Sequence, residues 1–264
     1  MKNRSRKSSE NFEYEPVLII VPCFNESLRF NQKYFENLIG ITGTVWFFVD
    51  DGSKDETFPI LQALCTFANS HVLRLSNNVG KSEAIRIGLL DALNRFPSSS
   101  WCGFLDSDGA FDSTEVAAII NRITNKEFDS FQALFSSRVK LSGRKIHRET
   151  YRHLIGRAVA TIFGLIWKDI PYDTQSGFKI FRSNDLLKEI ILIPFQTRWF
   201  FDIEIIARIA EKQQLSPLIW EEPLNSWMDI KGSKISIREI FRLAGEVPRV
   251  AFLLANKRKY LNGG

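Results

Sequence analysis

The chain has 264 residues, 44% of them hydrophobic and 25% charged, the balance of a folded globular protein long enough for one large α/β domain. Its 35 basic and 30 acidic residues leave a formal charge of +5. That is too mild, and too concentrated at the two ends, to mark a nucleic-acid binder. The three cysteines, Cys23, Cys65 and Cys102, form no CxxC pair, which argues against a disulfide framework or a cysteine zinc site and points to a reducing compartment.

The chain opens with Lys2, Arg4, Arg6 and Lys7, read as a solvated terminus. No apolar segment directly follows, as a secretory signal would require. Four short β-rich runs come next: Val17–Val21, Val45–Val49, His71–Leu75 and Trp101–Leu105. They recur at intervals of about 28 residues with helix-like segments between them, the βαβ rhythm of a parallel sheet covered on both faces. The first two are almost wholly apolar, as doubly covered strands are.

A helix is predicted over Ser82–Phe96, with Ser82 as N-cap and Ile85, Leu89, Ala92, Leu93 and Phe96 on one stripe. Pro97 stops it. A second helix follows Ser113, with Val116, Ile119, Ile120 and Ile123 on one side. Strands are predicted over Phe131–Ser136 and Phe178–Arg182, and helices over Glu149–Trp167 and Phe201–Lys212.

The longest apolar stretch, Ala158–Trp167, is half of the roughly 18–20 residues that span a bilayer. The helix that contains it carries Leu154, Ile155, Ile162, Leu165 and Ile166 with Arg152 and Arg157 on its first turns. It fits an interfacial helix and a core helix equally well. The expected organisation is a catalytic domain over 12–234 and an amphipathic, basic tail over 235–264.

Ligands of open α/β sheets collect beyond the C-terminal ends of the strands, and the polar residues of this chain fall there. The first strand runs into Pro22-Cys23-Phe24-Asn25-Glu26, the second into Asp50-Asp51-Gly52-Ser53, the third into Ser76–Lys81 and the fourth into Asp106-Ser107-Asp108. Asp106 and Asp108, two apart on an extended segment, point the same way. Two such carboxylates suit a hard divalent cation, Mg²⁺ or Mn²⁺, with diphosphate oxygens completing its shell. The same residues would also make an ordinary polar turn. Asp51 could accept from a base or ribose, or cap the following helix, and Gly52 would let backbone approach a ligand. Asn78-Val79-Gly80-Lys81-Ser82 is not a Walker A loop, because Leu75 stands where that motif needs glycine. Lys81 at a helix start still favours a diphosphate.

In order and spacing, Pro22–Glu26, Asp50–Thr57, Asn78–Lys81 and Asp106–Asp108 resemble the family 2 glycosyltransferases. That resemblance implies a GT-A fold, a nucleotide-sugar donor and an inverting mechanism. Asp173–Phe181, Trp199–Glu204 and Gly232–Lys234 narrow it to enzymes similar to the dolichyl-phosphate glucosyltransferases and, more loosely, to other polyprenyl-phosphate glycosyltransferases. It covers about Pro16 to Lys234.

The resemblance implies that Pro22, Asn25, Glu26, Asp51, Lys81, Asp106 and Ser107 bind the nucleotide and its phosphates, and that Asp106 and Asp108 hold the metal. It implies that Arg138 and Arg152 grip a lipid phosphate and that Asp108, Asp173 and Asp202 are the acids of the catalytic centre, with Asp173 and Asp202 orienting sugar hydroxyls. The implied partners are UDP-glucose, or another nucleotide-diphosphate sugar, and a polyprenyl phosphate. The implied location is cytoplasmic, peripheral to a membrane. The chain departs from relatives with C-terminal transmembrane helices, and Gly156 stands where some have a small hydroxyl residue. The competing readings are a soluble family 2 enzyme acting on a hydroxyl and a non-catalytic nucleotide-sugar binder; the Asp106/Asp108 pair speaks against the latter.

Overall fold

A computed structural model describes residues 15–147, 157–158, 160–167, 170–212, 219–228 and 245–256. Its centre is β1 (Val17–Cys23), every residue of which is buried. Alternate side chains of a strand point to opposite faces, so Leu18 and Ile20 enter one core while Val17, Ile19 and Val21 enter another. The same alternation divides β2 (Thr44–Asp50), where Val45, Phe47 and Val49 go one way and Trp46 and Phe48 the other.

β3 (Ser70–Arg74) and β4 (Trp101–Leu105) flank this pair, and all four strands are parallel. Beyond β4 the sheet continues through β7 (Phe178–Arg182), β5 (Ala133–Ser137) and β8 (Ile219–Pro223), in the order β3-β2-β1-β4-β7-β5-β8. β7 runs antiparallel to both of its neighbours. This inversion brings the residues just before β7 beside the residues just after β4. A small parallel pair, β6 (Lys145–His147) with β9 (Ser226–Met228), stands apart.

Helices cover both faces, as expected. α1 (Gln32–Ile39), α2 (Thr57–Leu64) and α4 (Ser113–Thr124) lie on one core. α3 (Lys81–Arg95), α5 (Asp185–Leu192) and α6 (Phe201–Lys212) lie on the other. Among the described residues no helix is long and apolar enough to cross a membrane. Of the helix expected over Glu149–Trp167, residues 149–156 and 159 lie outside the described residues; 157–158 and 160–164 are helical.

One detail of the sequence reading is corrected. α3 begins at Lys81, one residue before the expected cap, and Ser82 is a buried helical residue. The residue before the helix is Gly80, at φ +93, with no side-chain cap. Its N–H is instead taken by a carboxylate from another loop, which starts the helix early. The segment expected as a tail also contributes structure. Residues 245–256 form a helix, α7, whose Val250 and Leu254 are buried in the α3/α5/α6 core. The Glu246 carboxylate accepts from the backbone N–H of Arg198 and Trp199, at 3.0 and 2.9 Å.

Leu254→Ala should therefore act as a core truncation and cost about 2–5 kcal/mol. It should appear as a lower urea midpoint with unchanged m-value; no shift would mean that α7 does not belong to the fold.

Candidate active site

The site is assembled by hydrogen bonds that join the loops after β1, β2, β3 and β4. Asp51 follows β2, and its backbone N–H continues the ladder to the Cys23 carbonyl at 2.8 Å. Its two carboxylate oxygens accept the N–H groups of Val79 (2.7 Å) and Gly80 (2.9 Å). Burial raises the pKa of Asp51, those two bonds oppose the rise, and neighbouring Asp50 adds to it. The carboxylate thus holds the β3–α3 loop.

Gly52 serves that loop as well. Its φ is +70, and a Cβ there would meet the backbone of Asn77 and Asn78 at 2.6 to 2.9 Å. The close approach made by Gly52 is to the protein's own chain. Holding Val79 and Gly80 fixes the first residue of α3, Lys81, whose ammonium lies 2.6 Å from Asp106 Oδ1. Asp51 and Asp106 are two strands apart, about 10 Å by strand spacing, and the 79–81 segment bridges them.

Asp106 and Asp108 leave the end of β4 beside each other. Burial raises the pKa of Asp108, and the charge of Asp106 raises it further; Ala110 N–H, Lys81 and Arg29 pull it down. Glu26, 4% exposed, takes a bidentate grip from Arg29 and a bond from the Ser107 hydroxyl at 3.2 Å, tying the β1 loop to the β4 loop. Tyr34 lies where a Gly109 Cβ would touch its ring. Its hydroxyl is buried with no hydrogen-bond partner, and its pKa is raised by burial and then by Asp108 and Asp112.

The β1 loop is itself stapled to the β2 loop. Asn25, at φ +51, donates its N–H to Ser53 Oγ and accepts from Lys54 N–H, each at 2.9 Å. Asp55 accepts from the Ser27 hydroxyl (2.6 Å) and the Thr57 hydroxyl (2.6 Å). Burial would raise its pKa, but these bonds win and bring it down to about 2. Pro22 is buried in β1 opposite Val49, two residues beyond the last β1–β4 pair, Ile20↔Phe104.

The structure therefore brings Pro22, Asn25, Glu26, Asp51, Lys81, Asp106, Ser107 and Asp108 to one end of the sheet. The other candidates are engaged differently. Arg138, just after β5, grips Asp173 with Nε (2.6 Å) and Nη2 (2.8 Å), and stacks 4.9 Å from the Trp227 ring. Glu221 accepts the N–H groups of Tyr172 and Asp173, both at 2.8 Å. Asp202 is paired with Lys179, and both are almost wholly buried. Arg152 lies outside the described residues. Sequence reasoning did not single out Arg29, Tyr34 or Glu221 for the site, and it met Lys179 only as a letter in a motif. Tyr34, Glu221 and Lys179 act on residues distant along the chain, whereas Arg29 pairs with Glu26 three residues away.

A divalent cation fits the donor set after β4. The charge of Asp106 disfavours ionisation of Asp108, so a cation between them is stabilised. Among the described residues no group of three or more His, Cys, Asp or Glu side chains forms a metal site unaided. Diphosphate oxygens would supply the remaining ligands.

A mostly parallel sheet with helices on both faces, ending in paired acids and a lysine, is the GT-A arrangement of a glycosyltransferase. Residues 18–209 match the model of glycosyl transferase family 2, and the chain belongs to that family. It is similar to a dolichyl-phosphate β-glucosyltransferase of Trichomonas vaginalis, at 27% identity over 89% of this chain and 72% of that protein. The Saccharomyces cerevisiae enzyme of the same description is 26% identical, over 89% of this chain and 75% of its own length. The one from Drosophila melanogaster is 30% identical over 83% and 68%. Among solved structures, glucosyl-3-phosphoglycerate synthase of Mycobacterium tuberculosis, in complex with Mn²⁺, UDP-glucose and phosphoglyceric acid, superposes with a TM-score of 0.63. The match has 15% identity and covers 92% of this chain and 80% of that one. At that identity the likeness is one of fold.

Gly177 allows a direct test of the carboxylate pair. It immediately precedes β7, its carbonyl accepts the Asp106 N–H at 2.9 Å, and a Cβ there would lie 2.3 Å from Asp106 Oδ2. The three atoms nearest that Cβ all belong to the Asp106 side chain, so the carboxylate is what must shift. Gly177→Ala should weaken Mn²⁺ binding in the presence of UDP by about tenfold or more, read by electron paramagnetic resonance, with little change in the thermal midpoint.

Proposed function

We propose that this glycosyltransferase moves glucose from UDP-glucose to the phosphate of a polyprenyl lipid, with inversion at the transferred carbon. The observation that carries the acceptor class is the state of two acids. Asp173 is held by Arg138 and Asp202 by Lys179, so neither is poised as a base. A hydroxyl acceptor needs its proton removed. A phosphate monoester has a second pKa of about 6 and arrives largely ionised at neutral pH. A site whose spare acids are neutralised by cations suits the second kind of nucleophile.

The names of the relatives favour the same acceptor and the same sugar, since they are dolichyl-phosphate β-glucosyltransferases. The mycobacterial neighbour binds Mn²⁺, UDP-glucose and a phosphorylated acceptor, which supports a divalent metal and a uridine nucleotide. Within this reading the catalytic unit is 12–234 with α7 packed into its core, working as a peripheral protein at the cytoplasmic surface of a membrane. Leu165 and Phe252, 77% and 67% exposed, are apolar side chains suited to that surface.

In this reading Asp106 and Asp108 would hold Mg²⁺ or Mn²⁺, and the metal would supply positive charge to the departing nucleoside diphosphate. Lys81 adds a positive charge from the start of α3, where the helix dipole already favours an anion. Asp51 keeps the 79–81 backbone in place for both tasks. Pro22, Asn25, Glu26 and Ser107 shape the wall on which the nucleotide rests. Arg138, whose charge Asp173 already shares, and Arg152 receive the acceptor phosphate.

The test incubates purified protein with Mn²⁺ or Mg²⁺, polyprenyl phosphate and labelled UDP- and GDP-sugars, and extracts the lipid. Label from UDP-glucose in the organic phase is the expected result, and Asp108→Asn should abolish it. Transfer only to hydroxyl acceptors, or undiminished transfer by the Asn variant, would contradict the reading.

A further inference from the structure

We infer that Asp202 is a positioning residue, and that the buried Lys179–Asp202 ion pair sets the geometry of Asp106 through the segment 174–177. The inference rests on the reading of Asp106 and Asp108 as metal ligands.

Exposure separates the two kinds of acid. The Asp106 side chain is 26% exposed, whereas that of Asp202 is 3% exposed. Both oxygens of Asp202 are engaged within the protein. One of its oxygens meets Lys179 Nζ and the other accepts the N–H of Ile203 at 2.8 Å.

Lys179 is equally enclosed. It lies opposite Phe104 in the β4–β7 ladder. Its Nζ is 5.8 Å from the Phe104 ring and 5.0 Å from the Phe135 ring. Its ammonium also donates to the Thr174 carbonyl at 3.2 Å. A cation in such apolar surroundings stays only if a counter-ion is supplied. Asp202, from the first turn of α6, supplies it.

The consequence runs along the chain. Lys179 fixes Thr174, and the Ser136 hydroxyl fixes the far end of the turn through the Phe178 carbonyl at 2.8 Å. Between them, Gly177 bonds the Asp106 N–H and lies against its carboxylate. If Asp202 loses its charge, Lys179 is left uncompensated and must withdraw or draw in water. The 174–177 segment then moves, and Asp106 moves with it. If both charges are replaced by apolar side chains, no buried charge is left unpaired, but the Lys179–Thr174 bond is lost and the segment is held by its remaining contacts alone.

The test compares Asp202→Asn, Lys179→Met and the double change Lys179→Met with Asp202→Leu in the full chain. Mn²⁺ affinity in the presence of UDP is read by electron paramagnetic resonance. Turnover with UDP-glucose and polyprenyl phosphate is followed against Mn²⁺ and against pH. Each single change should weaken Mn²⁺ binding by about tenfold or more. The double change should bind Mn²⁺ more tightly than either single change, with turnover recovered in the same proportion and an unchanged pH profile.

A double variant that binds Mn²⁺ normally but does not turn over would make Asp202 a residue that acts on substrate, and would overturn the inference. So would single variants with wild-type Mn²⁺ affinity. If a single variant does not fold, the double variant decides. Wild-type protein that binds no Mn²⁺ with UDP would overturn the metal reading itself; bound metal with unmoved variants overturns this inference alone.

Discussion

Two carboxylates side by side at the end of a buried strand repel each other, and the site is organised around that repulsion. The pKa of Asp108 is raised by burial and by the nearness of Asp106, and lowered by Lys81 and Arg29. Glu26, Asp106 and Asp108 bring three negative charges, while Lys81 and Arg29 return two. One negative charge remains. That balance attracts a divalent cation only weakly, and the diphosphate of a donor would make the attraction strong.

The sheet supplies the rigidity that such a charge cluster needs. β1 and β2 are buried on both faces and aligned over seven residue pairs, so the loops leaving them start from fixed points. Asp51 then transmits the position of β2 to α3 through two backbone bonds. Lys81 transmits it to Asp106. The antiparallel β7 adds a second constraint from the other side, because Gly177 borders the same carboxylate. The acid pair is therefore held between a helix start and a strand start.

Much of this was legible in the sequence. The four leading strands are apolar runs between polar turns, and β4 and β7 match the expected bounds. The grouping of strand-end acids followed from parallel topology alone. What was hidden depends on contacts distant along the chain. β8 reads Ile219–Pro223, with Glu221, Glu222 and a proline, and only topology makes it an edge strand. α5 is short and announced by Asn184, whose side chain caps Leu187 N–H at 2.8 Å, but a lone asparagine is a weak signal. Gly80 displaced Ser82 as the start of α3 because Asp51, 29 residues away, takes its N–H. The pairings of Arg138 with Asp173 and of Lys179 with Asp202 span 35 and 23 residues, and no local pattern reports them. They change how those acids are read, from hydroxyl-handling groups to parts of ion pairs.

The most direct test of the central claim is a crystal structure with Mn²⁺ and UDP, with the metal located from its anomalous scattering. The account predicts one strong peak within metal–oxygen bonding distance, roughly 2.0–2.3 Å, of carboxylate oxygens from both Asp106 and Asp108 and of a UDP phosphate. A peak bound elsewhere, or UDP seated away from Asp51 and Lys81, would contradict it.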